Sequence, residues 1–218
     1  MLMTSGVPKL KHSLLERLVH YLHVLVERHP DNEREYFSSA HVAALLHMDD
    51  TQIRKDLAAV GVRGYPRLGF RTLEAREAIR RTLGFNCRHR AILVGAGHLG
   101  GALAAYKGFA GYGIQWVGIF DADSDKHGTR FGRLVVQPLS RLHNVARKRE
   151  IHLAVIAVPS GAAQDVANQV VTAGINTLWN FAPMSLVVPS RVYVRNEHIS
   201  VGLGELSYHL KQSADPPC

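Results

Sequence analysis

Apolar residues recur at a helical period through the first third of the chain and as short unbroken runs through the rest. Leu14, Leu15, Leu18, Val19, Leu22, Leu25 and Val26 share one face, which predicts a first helix over Ser13–Arg28, stopped by His29-Pro30-Asp31. Ser38 or Ser39 can cap a short second helix through Leu46, with Val42, Leu45 and Leu46 turned inward. After a turn at His47–Asp50, Asp49 followed by Gln52 suits a capping box for a third helix, Thr51–Val60. Ile53 and Leu57 share its inner face, leaving Gln52, Arg54 and Lys55 to point elsewhere. Gly61, Gly64, Pro66 and Gly69 punctuate a segment suited to a two-stranded wing. A basic helix over Leu73–Leu83 then leads into a linker, Gly84–His89. This order of elements is that of a winged helix-turn-helix.

From Arg90 the pattern changes to alternating strand and helix. Ala91–Val94 is a buried strand, and Gly95-Ala-Gly-His-Leu-Gly100 opens a helix to about Lys107. Gln115–Phe120, Leu153–Val158 and Thr177–Phe181 are further strands, with a helix over Ala163–Ala173 between the last two. A short strand, Val192–Arg195, precedes a terminal helix, Ile199–Leu210. The alternation predicts a mostly parallel, doubly wound Rossmann sheet. Gly95-x-Gly97-x-x-Gly100 is a weak signal alone, but here it follows a strand, opens a helix, and precedes an acid at the end of the next strand. Asp121 lies 21 residues after Gly100, near the dinucleotide-binding spacing of about 20. Gly95 permits the tight turn, Gly97 lets the backbone approach a pyrophosphate, and Gly100 allows the helix to sit close to the sheet. Asp121 can accept from adenosine ribose hydroxyls and repels a 2′-phosphate, which favours NAD(H) over NADP(H). The alternative is a glycine-rich turn that binds nothing. Asp123, Asp125 and Lys126 read as solvated loop charges.

Charge sharpens the first half of this picture. The chain of 218 residues carries a formal +8, and residues 51–90 hold ten basic side chains against three acidic ones. Such concentration on a helix-turn-helix is the electrostatic footprint of a phosphate-binding face rather than an ordinary solvated one. Gln52 suits adenine, Arg54 suits guanine, and Lys55 suits a phosphate or a second guanine. Ser38, Thr51, Arg63 and Arg67 complete the candidate double-stranded DNA face. Two cysteines, Cys87 and Cys218, make no disulfide framework and fit a reducing compartment. No apolar run is long enough to span a bilayer, and Met1–Lys11 lacks a signal-peptide pattern, so a cytoplasmic protein is expected. Among the thirteen histidines, His20-x-x-His23 has no neighbouring Cys or acid to complete a metal site.

The run Thr51-Gln-Ile-Arg-Lys-Asp-Leu57 and the stretch Val94-Gly-Ala-Gly-His-Leu-Gly-Gly-Ala-Leu103, with Tyr106 and Gly108-Phe109, resemble the Rex family of redox-sensing repressors. So do Phe120-Asp-Ala-Asp123, Ala157-Val-Pro159, Asn180-Phe-Ala-Pro183 and Leu206-Ser-Tyr208. The resemblance implies a homodimer with a domain-swapped C-terminal helix, bound to a palindromic operator when NADH is scarce and released as NADH rises. It places the pyrophosphate on Gly95, Gly97, His98, Leu99 and Gly100 and the ribose on Asp121. Ala96, Tyr106, Val158, Pro159 and Asn180 complete the implied cofactor set, and Arg17, Tyr106 and His198 match positions that couple sensor to DNA. Two departures stand out. His198 and Ile199 occupy the place of a family aspartate–aromatic pair, and Pro66-Arg67-Leu-Gly-Phe70 replaces an Arg-Gly-x-Gly-Tyr wing.

The expected division is a winged-helix domain over residues 1–86, a Rossmann domain over 87–196, and a swapped helix and tail over 197–218. A small NAD-dependent oxidoreductase with a helical appendage is the competing class. Against it, no length remains for a substrate domain, and no Ser-x-x-x-Tyr-x-x-x-Lys arrangement or His–acid pair presents itself. A DNA-binding protein whose Rossmann domain only dimerises is a third reading.

Overall fold

The computed structural model describes residues 10–28 and 35–213. The expected stop at His29-Pro30-Asp31, Cys218 and most of the Met1–Lys11 segment lie outside them. The chain divides into two compact units, Met1–Cys87 and Arg88–Cys218.

The first unit holds four helices, α1 (His12–Arg28), α2 (Ser39–Leu46), α3 (Asp50–Ala59) and α4 (Thr72–Thr82). Leu18, Leu22, Leu25, Val42, Ile53, Leu57 and Ile79 form its core, each large side chain contributing about 1.5–3 kcal/mol by leaving water. Local chemistry starts the short helices. Ser38 Oγ accepts from the His41 amide at 3.1 Å, and Asp49 Oδ1 accepts from the Gln52 amide at 3.0 Å. Leu45, expected inside, is at the surface, and Ser39 and Ala43 take the inner positions of α2. Three short strands, β1 (Tyr36–Phe37), β2 (Gly64–Tyr65) and β3 (Gly69–Arg71), form an antiparallel sheet in the order β1-β3-β2. Strand β1 was not expected. At two residues it has no period of its own and exists by pairing with β3, Phe37 stacking on Phe70.

The second unit is built on strands β4 (His89–Val94), β5 (Ile114–Asp121), β6 (Arg130–Phe131), β7 (Leu134–Pro138), β8 (Leu153–Ile156), β9 (Thr177–Asn180) and β10 (Tyr193–Asn196). They form one seven-stranded sheet in the order β10-β9-β8-β4-β5-β7-β6, parallel except for the β6–β7 hairpin. Helices α5 (His98–Ala105), α6 (Leu142–Lys148) and α7 (Ser160–Thr172) belong to this unit, as does the terminal α8 (Ile199–Ser213). Strands β6 and β7 and helix α6 carry no clear sequence signal. Their apolar runs are brief and interrupted by Gly132 and Pro138. Ala91, Leu93 and Val94 of β4 and Ala154, Val155 and Ile156 of β8 are buried, as central parallel strands require. Chain order reverses at β4, with β5 on one side and β8 on the other, so a crevice opens at the carboxyl ends of β4 and β8. Ligands of doubly wound sheets bind at such a switch point.

Candidate functional site

The three loop glycines serve different ends. Gly95 leaves β4 at φ 103°, and a Cβ there would run into the Ala157 carbonyl. A Cβ on Gly100 would strike the Gly95 carbonyl, so this glycine lets α5 lie against the turn. Gly97 is otherwise. Nothing lies within 4 Å of a Cβ built there, and its φ of −79° suits any residue. Fold geometry explains Gly95 and Gly100, whereas the fold makes no such demand at Gly97, which lines the crevice. Gly97 caps α5 without a side-chain bond, leaving first-turn amides for an anion. Beside it lies a cavity of about 230 Å³ lined by Gly95, Gly97, Asp121, Lys126, Val158 and Pro159 among others. A more open cavity of about 610 Å³ is lined by Ala96, Gly97, His98, Gly101, Lys126 and Phe131.

Asp121 ends β5 at the cavity wall. Its Oδ2 accepts from the Ala96 amide at 2.6 Å and its Oδ1 from the Asp123 amide at 2.9 Å. Lys126 Nζ stands 3.3 Å from Oδ2. Burial would raise the Asp121 pKa, but the two amides and the Lys126 ammonium outweigh it and hold the carboxyl below its ordinary range. Lys126, read from sequence as a solvated charge, is therefore part of the site. No periodicity marks it, because the turn of the loop brings its ammonium back onto the strand end.

The remaining expected cofactor residues divide. Ala96, His98, Val158 and Pro159 line the cavities. Leu99 and Tyr106 do not line either one. Leu99 is exposed on α5, and the exposed Tyr106 sets its ring edge-on to Phe109, with centroids 5.0 Å apart. Asn180 is fully buried and spent on its own loop. Its amide nitrogen donates to Met184 O and Asn196 Oδ1, each at 2.8 Å, and its oxygen accepts from the Ala182 amide at 3.0 Å. It therefore shapes the turn after β9, with its amide nitrogen and one lone pair of its oxygen engaged there.

On the first unit, α2, a left-handed turn at His47 (φ 52°) and α3 make the helix-turn-helix. Thr51, Arg54 and Lys55 are exposed on α3, and Arg63 and Arg67 are exposed around the wing. Ser38 is exposed with its oxygen engaged in the α2 cap. The expected capping box is only half made. Gln52 does not reach back to the cap; its Nε2 donates to Asp56 Oδ1 at 2.8 Å. Arg54 is likewise held, 2.6 Å from Asp50.

Asp56, which the sequence reading passed over, is the centre of a buried network. Its carboxylate takes Arg17 Nε at 2.6 Å and Nη2 at 2.8 Å, and the Tyr21 hydroxyl at 2.8 Å. Burial pushes the Asp56 carboxyl up, while Arg17, Tyr21 and Gln52 together hold it below its usual range. The same burial and the Asp56 bond raise the Tyr21 phenol. Arg17, expected to couple the units, thus already has an acid partner on α3. His198 is exposed immediately before α8, its carbonyl accepting from the Val201 amide at 3.1 Å. Among the described residues no group of three or more His, Cys, Asp or Glu is placed to hold a metal ion. No helix among them is long and apolar enough to cross a membrane.

A winged helix-turn-helix and a Rossmann unit with a dinucleotide-type crevice in one chain define a DNA-binding regulator with a ligand-sensing module. Comparison with known proteins agrees. Residues 12–58 match the family described as a putative DNA-binding protein N-terminus, and residues 86–184 match the CoA binding domain family. The redox-sensing transcriptional repressor Rex of Treponema denticola is 36% identical over 88% of this chain and 91% of its own. That of Pelotomaculum thermopropionicum is 38% identical over 94% and 95%. A crystal structure of RSP in complex with β-NAD⁺ and operator DNA superposes with a TM-score of 0.86 at 29% identity, covering 94% of both chains. RSP in complex with β-NADH gives 0.83 at 30% identity, covering 94% of this chain and 95% of that one. The chain belongs to the Rex family of redox-sensing transcriptional repressors.

Proposed function

We propose that this chain is a cytoplasmic, non-catalytic repressor that binds operator DNA and leaves it when NADH occupies the cavity beside Gly97. The observation that carries the reading is the open cradle at Gly97, facing an ionised acid in the same crevice, on a chain that also bears a winged helix-turn-helix. The residues fit the dinucleotide. First-turn amides of α5 receive the pyrophosphate, Asp121 receives the ribose, and Val158 and Pro159 supply an apolar wall. Bound NADH and NAD⁺ differ in the charge and planarity of the nicotinamide ring, which is what makes occupancy a redox signal. The titratable residues lining the inner cavity are Asp121 and Lys126, paired with each other.

On the DNA side, α3 presents Thr51, Gln52, Arg54 and Lys55 to a major groove, with Ser38, Arg63 and Arg67 placed for the backbone and the wing contact. Asp50 and Asp56 hold Arg54 and Gln52 in set rotamers beforehand. Helix α8 exposes Ile199, Val201, Leu203, Leu206, Tyr208 and Leu210, an apolar surface suited to a second copy of the chain. We therefore place the swapped helix of a homodimer there, on a palindromic operator. Coupling through Arg17 has to share or break the Asp56 pair, and His198 brings no acid of its own. Operator affinity, measured by fluorescence anisotropy with no dinucleotide, with NAD⁺ and with NADH, tests the reading. Release by NADH alone is expected. Equal operator affinity in all three conditions overturns it.

A further inference from the structure

Lys126 is the one lysine or arginine lining either cavity, and it lines both. It ends the 3₁₀ turn Ser124–Lys126, whose start is fixed by the Asp123 side chain accepting the Asp125 amide at 3.0 Å. Its ammonium lies between two acids, 3.3 Å from Asp121 Oδ2 and 3.5 Å from Asp123 Oδ2. The contact changes what Asp121 can do. A carboxylate offers about four acceptor positions, and the Ala96 amide, the Asp123 amide and Lys126 occupy three of them. Two ribose hydroxyls need two. Asp121 can receive both only if Lys126 swings off Oδ2. A long, partly exposed lysine can do this, whereas the backbone amides cannot. The released ammonium then remains in the crevice that Asp121 lines.

Resting on the dinucleotide reading above, we propose that Lys126 is a second specificity-determining residue at the adenosine end. It is a cation already placed for an adenosine 2′-phosphate and held in check by Asp121. Discrimination between NADH and NADPH then depends on the balance of this pair rather than on Asp121 alone. Asp121 repels the phosphate, Lys126 attracts it, and the substitution Asp121→Asn tips the balance by removing the opposing charge while one of the two backbone amides keeps its acceptor.

The test is titration of the full chain with NADH and NADPH, followed by nicotinamide fluorescence, for wild type, Lys126→Ala, Asp121→Asn, Asp121→Asn/Lys126→Ala and Asp121→Asn/Lys126→Arg. Asp121→Asn is expected to gain NADPH binding. Adding Lys126→Ala is expected to cost NADPH about tenfold more than NADH, the size of one charge-assisted contact, and Lys126→Arg is expected to keep the gain. In the wild-type background, Lys126→Ala widens the preference for NADH, a reading that survives if Asp121→Asn fails to fold. Equal losses for the two dinucleotides, or an unmoved ratio, overturn the assignment of Lys126 while leaving the dinucleotide site intact. Failure of the wild type to bind NADH overturns the dinucleotide reading and this inference with it.

Discussion

The two units carry recognition surfaces made in opposite ways. The crevice of the second unit is backbone work. Gly95 turns, Gly100 admits the helix, Gly97 leaves room, and the amides of Ala96 and Asp123 set Asp121. The helix-turn-helix of the first unit is side-chain work. Gln52, Arg54 and Arg17 are long, flexible groups whose directions are set by two acids, Asp50 and Asp56. A backbone site is rigid because any change moves a strand or helix. A side-chain site is rigid only while its tethers hold, and a buried carboxylate is a strong tether. The difference predicts that single substitutions damage the two surfaces by different routes.

The largest effect is expected at Asp56. Asp56→Ala leaves Arg17 without its partner and strips Tyr21 and Gln52 of theirs, for a loss of about 3 kcal/mol in denaturant unfolding of the first unit. Operator affinity should fall with it and NADH affinity should not. The sign of the pH dependence follows from the depressed carboxyl. The stability contributed by Asp56 is full above the ordinary aspartate pKa of about 4 and is lost as pH falls through the lower folded value. Asp56→Asn should flatten that acid limb, and an unchanged limb would place the acid sensitivity elsewhere.

Gly97→Ala reverses the pattern. The new methyl meets no protein atom and the backbone suits alanine, so the melting temperature should hold. NADH affinity should drop about tenfold or more, equivalent to about 1.4 kcal/mol, because the methyl fills the approach to α5. A variant that binds NADH normally would make Gly97 an ordinary turn residue.

The smallest effect is at the wing tip, where the Leu68 amide donates to the Tyr65 carbonyl across a turn that puts Arg67 at φ 65°. A left-handed residue other than glycine costs about 1 kcal/mol. Arg67→Gly should therefore stabilise the first unit by about that amount and weaken operator binding, with a shallower dependence on salt. Stabilisation with no loss of DNA affinity would remove the wing tip from the interface.

Much of the fold was legible because its causes are local. The period of Leu18, Leu22 and Leu25 declares α1, Ser38 and Asp49 announce the starts of α2 and α3, and the glycine spacing with Asp121 declares the crevice. These signals need only neighbouring residues, since caps, helical periods and turn glycines act over a few positions.

Tertiary structure decided the rest, through distant partners or through loop geometry that no local pattern declares. Asp56 looked like one more charge on a polar helix, because Tyr21 and Arg17 lie 35 and 39 residues away. Asn180 belonged to a motif, yet its amide nitrogen is engaged by the close of its own loop and by Asn196 on the adjacent strand. Strand β1 has no existence apart from β3. Lys126 is near Asp121 in sequence, but the loop geometry that turns its ammonium back onto the strand end is not encoded in any periodicity. A sequence states which groups are available and which local shapes they favour. Which charges end up buried, paired and directed is settled when remote segments exclude water together, and that is a property of the assembled chain.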